Sequence, residues 1–293
     1  MLSNTLAIDF NQRGETFLFE QADFRQAEEA FRRSAASAPF WSVPWFNLGL
    51  VFKWQRLWRE SLDCNQKALE RDRSLEGAWW NLGISATALG NWPEARRAWT
   101  GFGLELPPGE GEILMNLGPT PIRLDPAGTG EVVWCERIDP ARATIRSVPL
   151  PKTGHRFGDL LLHDGAPSGE RLLHGETVPV FNAIELLRPS TYLTFEVELR
   201  APGPEALRAL FRRAANEEIG LEDWDTLRCL CSACSQGSPG PSKHDDFVAP
   251  EHYGKPIRLM AAAPDEDRIR AFLHAWTDSD PGGSILRVAI SAP

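Results

Sequence analysis

The chain has 293 residues, 42% of them hydrophobic and 24% charged, with a formal net charge of −9; this excludes a disordered chain and favours two or three domains over one core. Residues 1–107 hold 12 Lys/Arg and 13 Asp/Glu and the remainder 19 and 27, so the negative excess lies in the C-terminal two-thirds, which argues against a nucleic-acid backbone as main partner and suits a basic protein. No window approaches the roughly 20 apolar residues of a membrane helix, and the acids spread through residues 1–30 leave no secretory core segment, so a cytoplasmic location is expected.

Eight of the eleven Trp residues fall between Trp41 and Trp99, which demands a large aromatic interior or surface there. Trp45-Phe46-Asn47-Leu48-Gly49 recurs as Trp79-Trp80-Asn81-Leu82-Gly83, with the two glycines 34 residues apart. Ser61 and Ala68 follow the first copy, and Ala95, Trp99 and Pro107 the second. An earlier copy runs through Phe10, Gly14 and Phe17, then Ala27, Phe31, Ser34 and Pro39, displaced by one residue. The displacement predicts one extra residue in the inter-helix turn near Gln21-Ala22-Asp23. A fourth start at Met115-Asn116-Leu117-Gly118 is stopped by Pro119 and Pro121, so Glu110–Leu117 is expected to be a helical half-repeat covering the last full one.

A period of 34 with small residues at the glycine and alanine positions resembles the tetratricopeptide repeat family. The resemblance implies an α-solenoid over residues 1–118, with a concave groove lined by the first helix of each pair. By spacing from the glycines, the groove positions are Phe46, Leu50, Lys53 and Trp54, then Trp80, Ile84 and Thr87, and in the first repeat Asn11, Glu15 and Leu18. Such a groove is apolar and aromatic. It lacks the ring of Lys and Arg of the subfamily that clamps chaperone C-terminal carboxylates, and suits an amphipathic helix or an extended hydrophobic segment. The alternative occupant is the C-terminal part of the same chain.

Past the repeats the period changes to two. Glu131–Ile138, Ala143–Leu150 and Gly158–His163 read as strands, with Val178–Phe181 a fourth whose Pro179 suggests an edge. Residues 128–188 are therefore expected to form a small antiparallel β domain. His155, Asp159, His163 and Asp164 could form a metal or acid–base site, but turn and cap chemistry explains the same residues. From residue 189 onward strands and helices alternate: Thr191–Leu199, the helix Pro204–Ile219 stopped by Gly220, Trp224–Cys231, Pro256–Ala262, the helix Asp265–Trp276 and Ser284–Ser291. This βαβ–βαβ order resembles a ferredoxin-like α/β sandwich in topology, a fold that assigns no function. The expected fold class is thus multidomain, an α-solenoid followed by β and α+β parts.

Cys229, Cys231 and Cys234, with His244 in the following loop, make a Cys3His set suited to one structural Zn2+, although small buried strand residues would leave the same pattern. Two functions follow. The first is a protein-binding adaptor, scaffold or neutraliser, one version being an immunity-type protein that sequesters a basic toxin. The second is a metal-dependent enzyme whose repeats recruit substrate; no phosphate loop, nucleophile elbow or HExxH supports it.

Overall fold

The computed structural model describes residues 2–128, 130–173, 175–223 and 255–291. The chain forms two compact units, residues 1–115 with 139–141, and residues 116–138 with 142–293. In the first, six α-helices form three hairpins: α1 (Leu2–Glu15) with α2 (Phe24–Ser37), α3 (Val43–Trp54) with α4 (Trp58–Arg71), and α5 (Glu76–Ala88) with α6 (Trp92–Phe102). These hairpins fit a tetratricopeptide-type solenoid.

The glycine of each first helix lies against a side chain of its partner helix. A Cβ on Gly14 would sit 2.6 Å from the Phe31 ring, one on Gly49 2.5 Å from the Asn65 amide, and one on Gly83 2.6 Å from Trp99. Phe31 and Trp99 are fully buried there. Hydroxyls tighten the same seams: Ser34 Oγ donates to the Ala7 carbonyl at 2.7 Å and Ser61 Oγ to the Gly49 carbonyl at 2.9 Å. Neighbouring hairpins repeat the device, with Phe46 leaning on Gly77.

The extra residue of the first repeat is taken up within the helix rather than in the turn. Thr16–Glu20 is a π-helical turn continuing α1, and a π-turn accommodates one residue without breaking the chain direction. Ala22 follows at φ 51°, and the Asp23 side chain caps α2 by accepting from the Gln26 N–H at 3.0 Å.

The expected half-repeat helix over Glu110–Leu117 does not form: residues 104–117 are extended or bent. Pro107, Pro108, Gly109 and Gly111 deny the segment a helical nucleus. It is held by Arg96 of α6, whose guanidinium donates to the carbonyls of Pro107 at 2.7 Å, Gly111 at 3.0 Å and Glu112 at 3.4 Å. Ile113 is completely buried.

The second unit begins with a closed five-stranded barrel: β1 (Gly118–Arg123), β2 (Val132–Arg137), β3 (Arg142–Ile145), β4 (Leu160–Leu173) and β5 (Glu176–Arg188). Neighbours are antiparallel, and β1 closes the barrel by pairing parallel to β5 at Ile122–Phe181 and Arg123–Asn182. Strand β1 lies where Pro119 and Pro121 suggested only a break. Prolines two apart lose their donors on one side of a strand, leaving the alternate residues to carry the ladder. Strand β5 is longer than expected and pairs with both β4 and β1, so it is no simple edge; Pro179 lies where only β4 accompanies it. Ile122, Val133, Cys135, Ile145 and Leu161 fill the barrel.

A four-stranded sheet follows, ordered β7 (Gly220–Asp223), β8 (Ile257–Ala263), β6 (Leu193–Arg200), β9 (Ser284–Ile290), each neighbour antiparallel. Helices α7 (Pro204–Asn216) and α8 (Glu266–Ser279) pack through Leu210, Phe272, Leu273 and Trp276 on the face bearing Phe195, Val197, Leu199, Leu259 and Ala261. Gly220 opens β7 instead of merely ending the helix. The expected strand Trp224–Cys231 lies outside the described residues.

The opposite face of β8 meets the barrel loop. Met260 and Ala262 cluster with Val148, Phe157 and Tyr192, and a Cβ on Gly220 would meet Phe157 at 2.8 Å and Val148 at 2.9 Å. Two residues along β7, Glu222 bonds to the Ser147 side chain and the Val148 backbone; burial nonetheless lifts its pKa from 4.5 to about 7, with Glu131 adding to the rise.

Two measurements probe these contacts. Gly83→Ala must displace Trp99, and should destabilise the array by about 1–3 kcal/mol in denaturant unfolding; a change within error would mean that the ring yields freely. Glu222 has a folded pKa above its unfolded one, so its stability contribution is complete below pH 4.5 and is lost as pH rises through 7. Glu222→Gln should therefore gain on the parent between pH 5 and pH 8, by at most about 3 kcal/mol; a pH-independent difference would contradict this.

Candidate partner-binding surface

Helices α1, α3 and α5 carry the groove positions, and their side chains meet three different ends. Trp54, the last residue of α3, is 41% exposed and edge-to-face with Phe19 at 5.7 Å and Phe24 at 6.3 Å. Phe19 is 58% exposed and Leu57 beyond it 41%. Together they form an aromatic ledge where the first two hairpins turn. Phe19 is absent from the positions named for the first repeat, yet it stands five residues after Gly14 as Trp54 stands five after Gly49, so the same glycine spacing is the signal that could have found it.

Phe46 and Leu50 are half-buried. Phe46 packs among Leu69, Ala78 and Leu82, and Leu50 against the cluster of Leu18, Phe31, Leu48 and Phe52. Trp80 turns towards α6, edge-to-face with Trp99 at 5.0 Å and Phe102 at 4.8 Å. Ile84 and Thr87 are buried. The surface is therefore narrower and more local than a continuous aromatic groove.

The polar groove residues brace the hairpins. Lys53 is 4% exposed, and its ammonium donates to Asn81 Oδ1 at 3.0 Å, linking α3 to α5. Asn47 Nδ2 donates to Asn11 Oδ1 at 3.0 Å, and Asn11 Nδ2 to Glu15 Oε1 at 2.8 Å. A buried ammonium needs such a partner, because an unsatisfied one would cost several kcal/mol.

The histidines of the barrel are used separately. His155 Nδ1 lies 3.4 Å from Asp159 Oδ2, but Asp159 also accepts from the backbone N–H groups of Arg156 at 2.9 Å and Ser190 at 2.7 Å, which makes it a staple for the loop. His163 is completely buried, stacked on Phe181 at 5.4 Å. Its Nδ1 lies 2.8 Å from the Asp164 carbonyl and so carries the proton. Burial, helped by the Arg137 charge, pushes its pKa down to about 4, which keeps it neutral near pH 7. Burial also lifts the Cys64 thiol to about 12 and the Cys135 thiol still further, making both poor nucleophiles. Among the described residues, no group of three or more His, Cys, Asp or Glu could hold a metal ion, and no helix is long and apolar enough to cross a membrane. Cys229, Cys231, Cys234 and His244 lie outside the described residues.

No protein-family model matches the chain, and no curated protein matches it. Solved structures similar to it include the second TPR domain of Spaghetti (RPAP3) bound to the HSP90 peptide SRMEEVD, at 22% identity and a TM-score of 0.33, covering 34% of this chain and 91% of that one. The TPR2B domain of yeast Sti1 in complex with an Hsp70 peptide is 17% identical with a TM-score of 0.32, covering 33% and 78%. The Arabidopsis OM64 TPR domain is 14% identical with a TM-score of 0.31, covering 33% and 84%.

Proposed function

We propose that the N-terminal array binds a polypeptide, and that the protein is an adaptor, scaffold or partner-neutralising protein rather than an enzyme. The observation that carries this reading is the ledge of Trp54, Phe19 and Leu57. Trp54 and Phe19 touch edge-to-face while both stand in solvent, Leu57 adds a further exposed apolar side chain three residues after Trp54, and exposed apolar surface of this kind marks an interaction site. Aromatic rings supply large contact area at low entropic cost. The occupant is read as an amphipathic helix or hydrophobic segment, reaching from the ledge along Leu50 and Phe46. A carboxylate-terminated peptide fits less well, because Lys53, the cation at the centre of the groove positions, is committed to Asn81.

The finer elements of the reading rest on sequence. The acidic remainder would favour a basic partner, including the toxin of an immunity pair, through steering. The C-terminal sheet is read as ferredoxin-like on its strand order, with the domain limits 1–118, 128–188 and 189–293. A structural Zn2+ on Cys229, Cys231, Cys234 and His244 remains the proposal for the cysteine cluster.

Trp54→Ala should leave the thermal transition nearly unchanged while reducing recovery of a bound polypeptide, or affinity for an amphipathic helical peptide, by at least about tenfold, the effect of a typical aromatic hot spot. Trp80→Ala serves as the core control and should destabilise by about 3–5 kcal/mol. Equal binding by folded Trp54→Ala and parent protein would remove the ledge from the function. For the cysteine cluster, elemental analysis should find one zinc per chain, lost in Cys231→Ser; metal-free parent protein would end that proposal.

A further inference from the structure

Among the described residues, β9 is an edge of the C-terminal sheet, bonded on one side to β6. Its sequence Ser-Ile-Leu-Arg-Val-Ala-Ile holds one charge and no Pro, so the strand itself supplies few of the usual defences of an exposed edge. The Ser291 N–H donates to the Thr194 carbonyl of β6 at 2.9 Å. By alternation, Ala289 and Arg287 also face β6, and Ile290 and Val288 direct their N–H and C=O groups outward; beyond Arg287 the register shifts by one residue, and Leu286 lies in that bulge. The outward direction of Val288 agrees with a side-chain contact, since Arg270 of α8 reaches its carbonyl at 3.4 Å. Leu286 is 44% exposed and Ile290 57%.

We propose that β9 pairs antiparallel with β9 of a second copy, centred on Val288, to form a continuous eight-stranded sheet. The register is argued from charge. Centring on Arg287 would set like charges face to face, which is unfavourable. Centring on Val288 sets Arg287 opposite Ala289 of the other copy. On that face Glu198 lies between Arg258 and Arg287, whereas Glu196 lies between Met260 and Ala289 and has no cation directly across from it. An Arg287 guanidinium from the second copy can extend over the small Ala289 towards Glu196, completing the alternation of charge. Val288 meets Val288 at the two-fold axis, where the two residues exchange backbone hydrogen bonds. One strand pair is small beside a standard interface, so the dimer is expected to be weak, with a Kd of roughly micromolar or higher, and to dissociate on dilution below it.

Arg270 guards this edge: bound to Glu266 and to the Val288 carbonyl, it occupies the central acceptor that the second copy needs.

Sedimentation equilibrium of the full chain over a concentration series tests the pairing. The parent protein should show a monomer–dimer equilibrium. Ala289→Lys favours the monomer, since the introduced ammonium would face Glu196 of its own sheet and oppose Arg287 of the other copy; it should weaken dimerisation at least about tenfold, the equivalent of ~1.4 kcal/mol. Arg270→Ala should tighten it, because the Val288 carbonyl is released. A parent protein that stays monomeric up to about a millimolar, where even weak pairs associate, overturns the proposal. So does a dimer whose strength is unchanged in folded Ala289→Lys.

Discussion

The helical array depends on one steric condition: in every hairpin, a glycine on the first helix leaves room for a large group on the second. Gly14 with Phe31, Gly49 with Asn65 and Gly83 with Trp99 are three instances of the same close approach. Each glycine weakens its own helix by roughly 0.5–1 kcal/mol relative to Ala. Burial of a whole Phe or Trp ring offsets that loss several times over, since large-to-small replacement of such rings costs about 3–5 kcal/mol. Once the axes are close, Ser34 and Ser61 reach the carbonyls of the facing helix, and the hairpins become flat enough to stack through Phe46 and Gly77.

Stacking then dictates which groove residues stay on the surface. Lys53, Asn81, Asn47 and Asn11 occupy positions from which they could meet a ligand, yet each reaches the adjacent hairpin first. Trp54 and Phe19, at the ends of α3 and α1, meet each other edge-to-face and still keep 41% and 58% of their surface in solvent. The aromatic ledge is the remainder of the packing problem.

The helical repeats were legible in the sequence because a 34-residue period with glycine, alanine and aromatic positions has one steric solution. The strands of the second unit were legible where apolar and polar residues alternate, as in β6, or where a short apolar run stands between turn signals, as in β2 and β8. Three features escaped. The π-turn at Thr16–Glu20 left only a one-residue offset, which a longer loop would explain equally well. Strand β1 was hidden by Pro119 and Pro121, whose cost vanishes when both face the open side. The segment after α6 was read as a helix because Met115-Asn116-Leu117-Gly118 copies the repeat motif, while the preceding prolines and glycines decide its conformation. For the positions mapped as groove residues, spacing could not tell Trp54, in solvent, from Trp80, turned onto Trp99 and Phe102. That distinction lies in rotamers and neighbours, which no linear pattern records.

The extended segment pinned by Arg96 also sets a ruler. Among the described residues there is no fourth hairpin, so three first helices line the concave side, and adjacent axes in such packing lie about 9–10 Å apart. The usable span is therefore about 20 Å, enough for roughly 13 residues of helix at 1.5 Å each or about six of an extended chain. A ligand of that reach can offer only a few anchoring side chains. On the proposed function, selectivity for one sequence over another would rest on how well the first anchor fits beside Trp54, and the length of the array would add little to it.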